Sequence, residues 1–327
     1  MKMHIGIITP AAPKSLNGNR ATAQRWADFL VQLGHKVSIT MKWDGTEYDI
    51  MLALHAWRSA ESIARFKKQF ADKPIILAMT GTDLYRFMYS HPETTLASIY
   101  AADKLVTLHR LAAKVLPESV QNKVQVIHQS AMPLEKPLPE NKNCSETSFD
   151  ICVVGHLREE KDSMRVAYAV RDLPASSKIR VLHYGKAHNK EWAKYAKDEM
   201  KTNSRYQWFG EVSHNTVREA YRCCKLMVLP SIMEGGANVI SEATVAGLPV
   251  IASDIDGSIG LLGDDYEGYF PVKNEKALRE ILLKAESDAV FLKTLSRQCK
   301  QRARLFTVDA EKNAWAKLLE TFLEAEK

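Results

Sequence analysis

Short apolar runs recur along the chain, separated by stretches whose apolar positions return every three or four residues. In the first half the runs are HIGIIT, KVSITM, DIMLALHA, PIILAMT, KLVTLH and VQVIH, and between the first two Ala23, Trp26, Ala27 and Leu30 fall on one helical stripe. Continuous rather than alternating apolar runs suit strands covered on both faces, and their alternation with helices predicts a parallel sheet. The pattern lapses over SAMPLEKPLPENKNCSETS, a proline-bearing polar stretch that reads as a linker. It then resumes with DICVVG, IRVLHYG, YQWFG, KLMVLP, PVIAS and GYFPV, with helices expected over 162–171, 190–203 and 236–246. The closing stretch puts Ala314, Leu318 and Phe322 on one stripe. The expected organisation is an N-terminal domain over 1–135, a linker over 136–148 and a second domain over 149–306. A final helix over 307–327 is expected to pack back on the first domain.

Composition narrows the class. With 327 residues, 46% hydrophobic and 26% charged, the chain is globular and long enough for two compact cores. No run approaches the roughly 18 apolar residues of a membrane helix, and no signal-peptide core precedes HIGIIT, so a cytoplasmic protein is expected. The five cysteines form no CxxC pair and read as free thiols, with Cys223 and Cys224 packing at the end of the amphipathic HNTVREAYRCC. Redox or selenium chemistry at that vicinal pair is the chemical alternative. The net charge of +6 comes from 45 basic and 39 acidic residues dispersed along the chain. That dispersal argues against a nucleic-acid surface and suits small anionic substrates.

Ligands of open parallel sheets bind beyond the carboxyl ends of the strands, so chemistry is sought just after each apolar run. The richest such place is PSIMEGGANVISEATVAGLPVIAS. There Gly235 and Gly236 allow close backbone approach, and a helix opens whose free N–H groups over Gly235, Gly236, Ala237, Asn238 and Val239 favour a diphosphate. Glu234 and Glu242, eight positions apart, fall before the helix and about two turns into it, on roughly one face. Carboxylates there can each accept hydrogen bonds from a vicinal diol. In DICVVGHLREEKD, Gly155 ends a strand and Arg158 and Lys161 follow, two cations suited to a departing diphosphate.

The spacing Glu234 to Glu242 resembles the E-x7-E signature of family 4 glycosyltransferases, and Arg158 and Lys161 are similar in placement to that family's diphosphate-binding pair. The resemblance implies a metal-independent α/β enzyme of GT-B type: two Rossmann-like, doubly wound parallel-sheet domains facing across a cleft. The second would hold the nucleotide sugar, with Glu242 on the ribose, Glu234 near the donor sugar and Gly210 near the base. Where the family reads EGFG this chain reads Glu234-Gly235-Gly236-Ala237, so its donor-sugar pocket departs from the pattern. Asp254-Ile255-Asp256 is formally a DxD, but it follows PVIAS where the family has a turn near the donor, and no metal cofactor is expected.

The first strand is followed by ITPAAPKSLNGNRATAQRW, which lacks a G-x-G-x-x-G and so disfavours dehydrogenase chemistry. Gly18, Asn19 and Arg20 instead open a helix suited to a small oxyanion. Polar residues again follow strands in LHAWRSAESI (His55, Arg58) and LAMTGTDLYRF (Thr80, Gly81, Thr82, Asp83). Together these segments resemble the selenosugar synthases of the selenoneine pathway over most of the chain. That resemblance implies transfer of a sugar, typically N-acetylglucosamine, from a UDP-sugar to selenophosphate, with later loss of phosphate. Arg20, Arg58 and Arg86 would then face the anionic acceptor, and closure would bring Gly18, Arg20 and the TGTD turn to the anomeric carbon. An ionised selenium nucleophile needs no base, so Asp83 would position groups rather than deprotonate; His55 reads equally as a core histidine. The expected catalytic set is Arg20, Asp83, Arg158, Lys161 and Glu234. The competing readings are a family 4 transferase with a lipid or polysaccharide hydroxyl acceptor, for which Ser62–Phe70 is the one basic amphipathic candidate, and a nucleotide-sugar-binding protein without turnover.

Overall fold

The computed structural model describes residues 2–13, 18–134, 144 and 147–324. It divides into two compact units, Met1–Gln129 with Val308–Lys327, and Ser130–Thr307. The expected linker 136–148 falls largely outside the described residues.

The first unit holds a six-stranded sheet formed by β1 (His4–Ile8), β2 (Lys36–Thr40), β3 (Ile50–Leu54), β4 (Ile75–Ala78), β5 (Lys104–Thr107) and β6 (Val124–Val126). Its order is β2-β1-β3-β4-β5-β6, every pair parallel. Alternation divides β3 between two cores: Ile50, Leu52 and Leu54 join one, Met51 and Ala53 the other. Gly6 must lack a side chain, because a Cβ there would lie 2.1 Å from the Tyr48 ring. Ile63 and Phe66 of helix Ala60–Gln69 are buried in the second of these cores. The apolar side of Ser62–Phe70 is therefore used internally, and that segment offers no basic apolar face to a membrane.

Helix Val308–Glu324 completes the first core. Trp315 packs edge-on against Trp26 at 4.8 Å between ring centres. Beneath them the buried Glu311 accepts the Trp26 indole N–H at 2.7 Å and pairs with Arg25 at 3.1 Å.

The second unit repeats the architecture with β7 (Phe149–Val154), β8 (Ile179–Tyr184), β9 (Tyr206–Trp208), β10 (Leu226–Leu229), β11 (Val250–Ser253) and β12 (Tyr269–Phe270). The order β12-β11-β10-β7-β8-β9 is again wholly parallel. All twelve apolar runs are strands, and the α/β class with two doubly wound parallel sheets is as expected.

The reading of Cys223 as a free thiol is corrected. Cys223 is bonded to Cys144, with their Cα atoms 4.9 Å apart across 79 positions of sequence. Only Cys152, Cys224 and Cys299 remain as buried thiols. Burial against Cys224 pushes the Cys152 thiol well above its usual range, which suits packing rather than reactivity. The helix expected from Gly236 begins two residues later, as Asn238–Val245 with Ala237 at its cap. Among the described residues no helix is long and apolar enough to cross a membrane.

Candidate active site

In the second unit the strand ends gather most of the residues picked out from the sequence. After β7 the chain passes through Gly155 and Arg158 into a single helical turn, Glu159–Lys161, which Asp162 closes in the left-handed conformation (φ 42°). After β10 it passes through Ser231 to Glu234. The two loops are tied by the Ile232 amide, which donates to the Glu160 carbonyl at 3.0 Å. Their side chains meet as well: Lys161 Nζ lies 2.5 Å from Glu234 Oε1, and the Ser231 hydroxyl donates to that same oxygen at 2.7 Å. The pair is nearly buried, with side chains 16% and 10% exposed. Arg158, three residues earlier on the same loop, has its Nε 3.9 Å from a Glu160 carboxylate oxygen and buried without a hydrogen bond. The positive field at this loop is registered by His156, whose pKa is lowered by burial and then by Arg158 and Lys161.

Gly236 adopts a φ of 132°, open to glycine but rarely to other residues, and the chain then enters helix Asn238–Val245. Its cap, Ala237, has no side-chain acceptor, so the first-turn amides receive no side-chain cap. Within the helix Glu242 accepts from Asn238 Nδ2 at 2.5 Å and from the Tyr221 hydroxyl at 3.0 Å. Burial and then Glu242 raise the Tyr221 pKa well above the ordinary phenol, so the phenol stays a donor. The two acids expected to share one ligand are thus each held by a separate set of partners.

Several positioning residues went unread. Gly257, at the start of helix Asp256–Leu262, lies so close that a Cβ would come within 2.3 Å of the Glu234 carbonyl oxygen. It borders the DxD-like segment, where Asp254 Oδ1 accepts the Val272 amide at 3.1 Å. Among the described residues no group of three or more His, Cys, Asp or Glu side chains converges to hold a metal. Gly210 (φ 71°) follows Phe209, which stacks on Tyr184 at 5.0 Å and is 46% exposed.

In the first unit the polar residues after β3 and β4 also converge. His55 is buried and sits in the left-handed region (φ 76°), an unusual conformation for a residue with a Cβ. Its Nδ1 lies 2.7 Å from Asp83 Oδ1, and its Nε2 is 3.4 Å from the Thr82 hydroxyl. Thr80 donates to Asp83 Oδ2 from both its amide (3.0 Å) and its hydroxyl (2.7 Å). Burial alone would raise the Asp83 pKa, but the His55 and Thr80 interactions outweigh it and hold the carboxyl below its ordinary value. Asp83 opens a π-helical turn, Asp83–Phe87, whose Phe87 ring stacks on Trp57 at 4.5 Å. Such turns cluster at functional places. Gly81 lies in the same TGTD segment; Arg58 is exposed, its backbone amide donating to His55 Nδ1 at 3.4 Å, and Arg86 is exposed as well. Gly18, Asn19 and Arg20 begin helix Gly18–Gln32, with open space around Gly18; Asn17 lies outside the described residues.

Two Rossmann-like units, one carrying an anion-suited glycine turn with adjoining cations, define a glycosyltransferase of GT-B type. The chain belongs to the family described as glycosyl transferases group 1, whose model matches residues 136–306, just over half of it. Similar proteins include TuaC of Bacillus subtilis (strain 168), named as a teichuronic acid biosynthesis glycosyltransferase. It is 23% identical over 280 residues, covering 82% of this chain and 69% of that protein. An uncharacterized glycosyltransferase of Methanocaldococcus jannaschii is 24% identical over 72% of this chain and 64% of its own length. The chain therefore spans about two thirds of these relatives. Among solved structures, sucrose-phosphate synthase from Thermosynechococcus elongatus superposes with a TM-score of 0.78 at 16% identity, covering 99% of this chain and 100% of that one. HepE from Anabaena, in complex with UDP-glucose, gives 0.78 at 14% identity over 98% and 100%.

Proposed function

We propose that this glycosyltransferase takes a sugar, N-acetylglucosamine, from its UDP-activated form and transfers it to selenophosphate without a metal. Selenium would attack the anomeric carbon as the bond to the diphosphate oxygen breaks and the electron pair leaves on UDP; phosphate is lost to water afterwards. The observation that carries the donor half is the Lys161–Glu234 pair, at 2.5 Å, beside Arg158 and next to the uncapped helix at Asn238. Fixed cations and free amides are what a leaving diphosphate requires as its charge grows. UDP as the nucleotide is supported by the HepE complexes with UDP and UDP-glucose. Glu242, already oriented by Asn238 and Tyr221, has the chemistry to grip a ribose diol.

The acceptor half rests on the likeness of the NGNR, LHAWRS and TGTD segments to selenosugar synthases. It is supported by the preorganised His55–Asp83–Thr80 cluster, a polar rather than apolar acceptor setting. Incubating the protein with UDP-N-acetylglucosamine and selenophosphate should release UDP and a selenium-bearing sugar, read by mass spectrometry. The relationship to a protein named for teichuronic acid biosynthesis favours a second reading, a hydroxyl acceptor on a growing polysaccharide. UDP release with an alcohol acceptor and none with selenophosphate would select it.

A further inference from the structure

His183 lies on β8 with its side chain turned into the protein, and the residue is wholly buried. Its Nε2 is 3.0 Å from the Gly155 carbonyl oxygen and its Nδ1 is 2.8 Å from the Tyr206 hydroxyl. A carbonyl only accepts, so Nε2 carries the proton and Nδ1 accepts from Tyr206. The imidazole is kept neutral by burial, its pKa pushed down to about 4.

The carbonyl it holds is the point where β7 becomes the Arg158–Lys161 loop. The other polar group of Gly155, its amide, donates to Tyr184 O at 2.9 Å. Gly185 supplies the space, since a Cβ there would sit 2.0 Å from the same Gly155 oxygen. Beyond Gly155 the loop is bound to the segment after β8. Leu157 N donates to Lys186 O, His188 N donates to Leu157 O, each at 2.9 Å, and Lys186 N donates to His156 Nδ1 at 3.1 Å. The peptide that launches Arg158 and Lys161 is therefore fixed from β8, and His183 is the side chain at the start of that clamp.

We propose that His183 is a positioning residue for the diphosphate-binding loop: by donating to the Gly155 carbonyl it sets the direction in which Arg158 and Lys161 leave the sheet. The proposal rests on the donor reading given above. It predicts that the identity of the donor at position 183 matters more to nucleotide affinity than to folding. A glutamine at 183 can still donate to Gly155 O and accept from Tyr206, whereas a leucine leaves the Gly155 carbonyl without this donor and Tyr206 with the weak acceptor Met164 Sδ at 3.6 Å.

The test uses the full chain, titrated with UDP by calorimetry alongside thermal midpoints and the KM and kcat for UDP-sugar. His183→Leu is expected to weaken UDP binding about tenfold or more. His183→Gln is expected to restore binding to within about threefold of wild type. Tyr206→Phe removes a buried hydrogen bond from the same network but not the Gly155 contact. A role confined to folding makes affinity follow the midpoint across all three variants. Loss of affinity in His183→Leu well beyond that of Tyr206→Phe at a similar midpoint supports positioning. If His183→Leu does not fold, a loss of UDP affinity well beyond threefold in His183→Gln at an unchanged midpoint overturns the proposal. Wild-type affinity in a folded His183→Leu overturns it alone, whereas a wild-type protein that ignores UDP overturns the donor reading and this proposal together.

Discussion

Replacing Lys161 by methionine keeps the length of the side chain but removes the charge facing Glu234. The carboxylate would then remain 10% exposed, with the Ser231 hydroxyl as the remaining partner seen at Oε1. Removing one member of a buried ion pair costs about 3–5 kcal/mol, chiefly because the other charge stays desolvated. The residual exposure of both side chains here places the cost near the lower end, about 3 kcal/mol. For a unit of this size each kcal/mol moves the melting midpoint by about 2–4 °C, so a drop of roughly 6–12 °C is expected. Glu234→Gln in the Lys161→Met background should recover part of it, giving a coupling of about 1–3 kcal/mol in a double-mutant cycle. Activity should behave differently from stability. If Lys161 stabilises the departing diphosphate, kcat for UDP release falls by about a hundredfold or more in both Lys161→Met proteins, whatever the midpoint does. Stabilities that add to within about 0.5 kcal/mol, together with a kcat near wild type, would refute both the pairing and the role.

Other outcomes follow from the same geometry. Glu242→Ala should weaken UDP binding at least tenfold in calorimetry by removing a carboxylate that Asn238 and Tyr221 orient, and unchanged affinity would remove it from the nucleotide site. His183 and His109, both held near pKa 4 by burial, take up protons first in the unfolded chain. Their contribution is complete above the ordinary histidine pKa and is lost as pH falls from about 6.5 to 4, costing about 3 kcal/mol for His183 alone. Asp83, held low, adds its loss only as pH falls below the ordinary carboxylate value. Urea midpoints that do not fall over that window contradict the buried neutral histidines. Peptide mapping without reductant should recover Cys144 and Cys223 as one linked pair, and reduction should lower the midpoint. A map with all five thiols free would disprove the bond.

Strands such as β3, β4, β10 and β11 were legible because they are buried along their whole length and so read as unbroken apolar runs; even the two-residue β12 was visible in GYFPV. The candidate site residues legible beside them were those carried by one stretch of chain, such as Gly155 with Arg158 and Lys161, or Glu234 with the glycine turn. What stayed hidden is made by pairing across sequence. Nothing near Glu242 announces Tyr221, nothing near Gly155 announces His183, and Gly257 shows its purpose only once Glu234 is seen against it. The disulfide escaped for the same reason, its partners being 79 positions apart. The helix start was set two residues early because a glycine turn and a helix opening leave similar marks in sequence when the cap is Ala237 rather than a Ser, Thr, Asn or Asp.

The first core draws Trp26 from near the beginning of the chain and Trp315 from near its end. During synthesis from the amino end, residues 2–129 therefore emerge with a hydrophobic seam uncovered and wait for the entire second unit before Trp315 and Glu311 arrive. The second unit, made from one unbroken stretch, has no such delay. The half whose strands are made first is thus the half completed last.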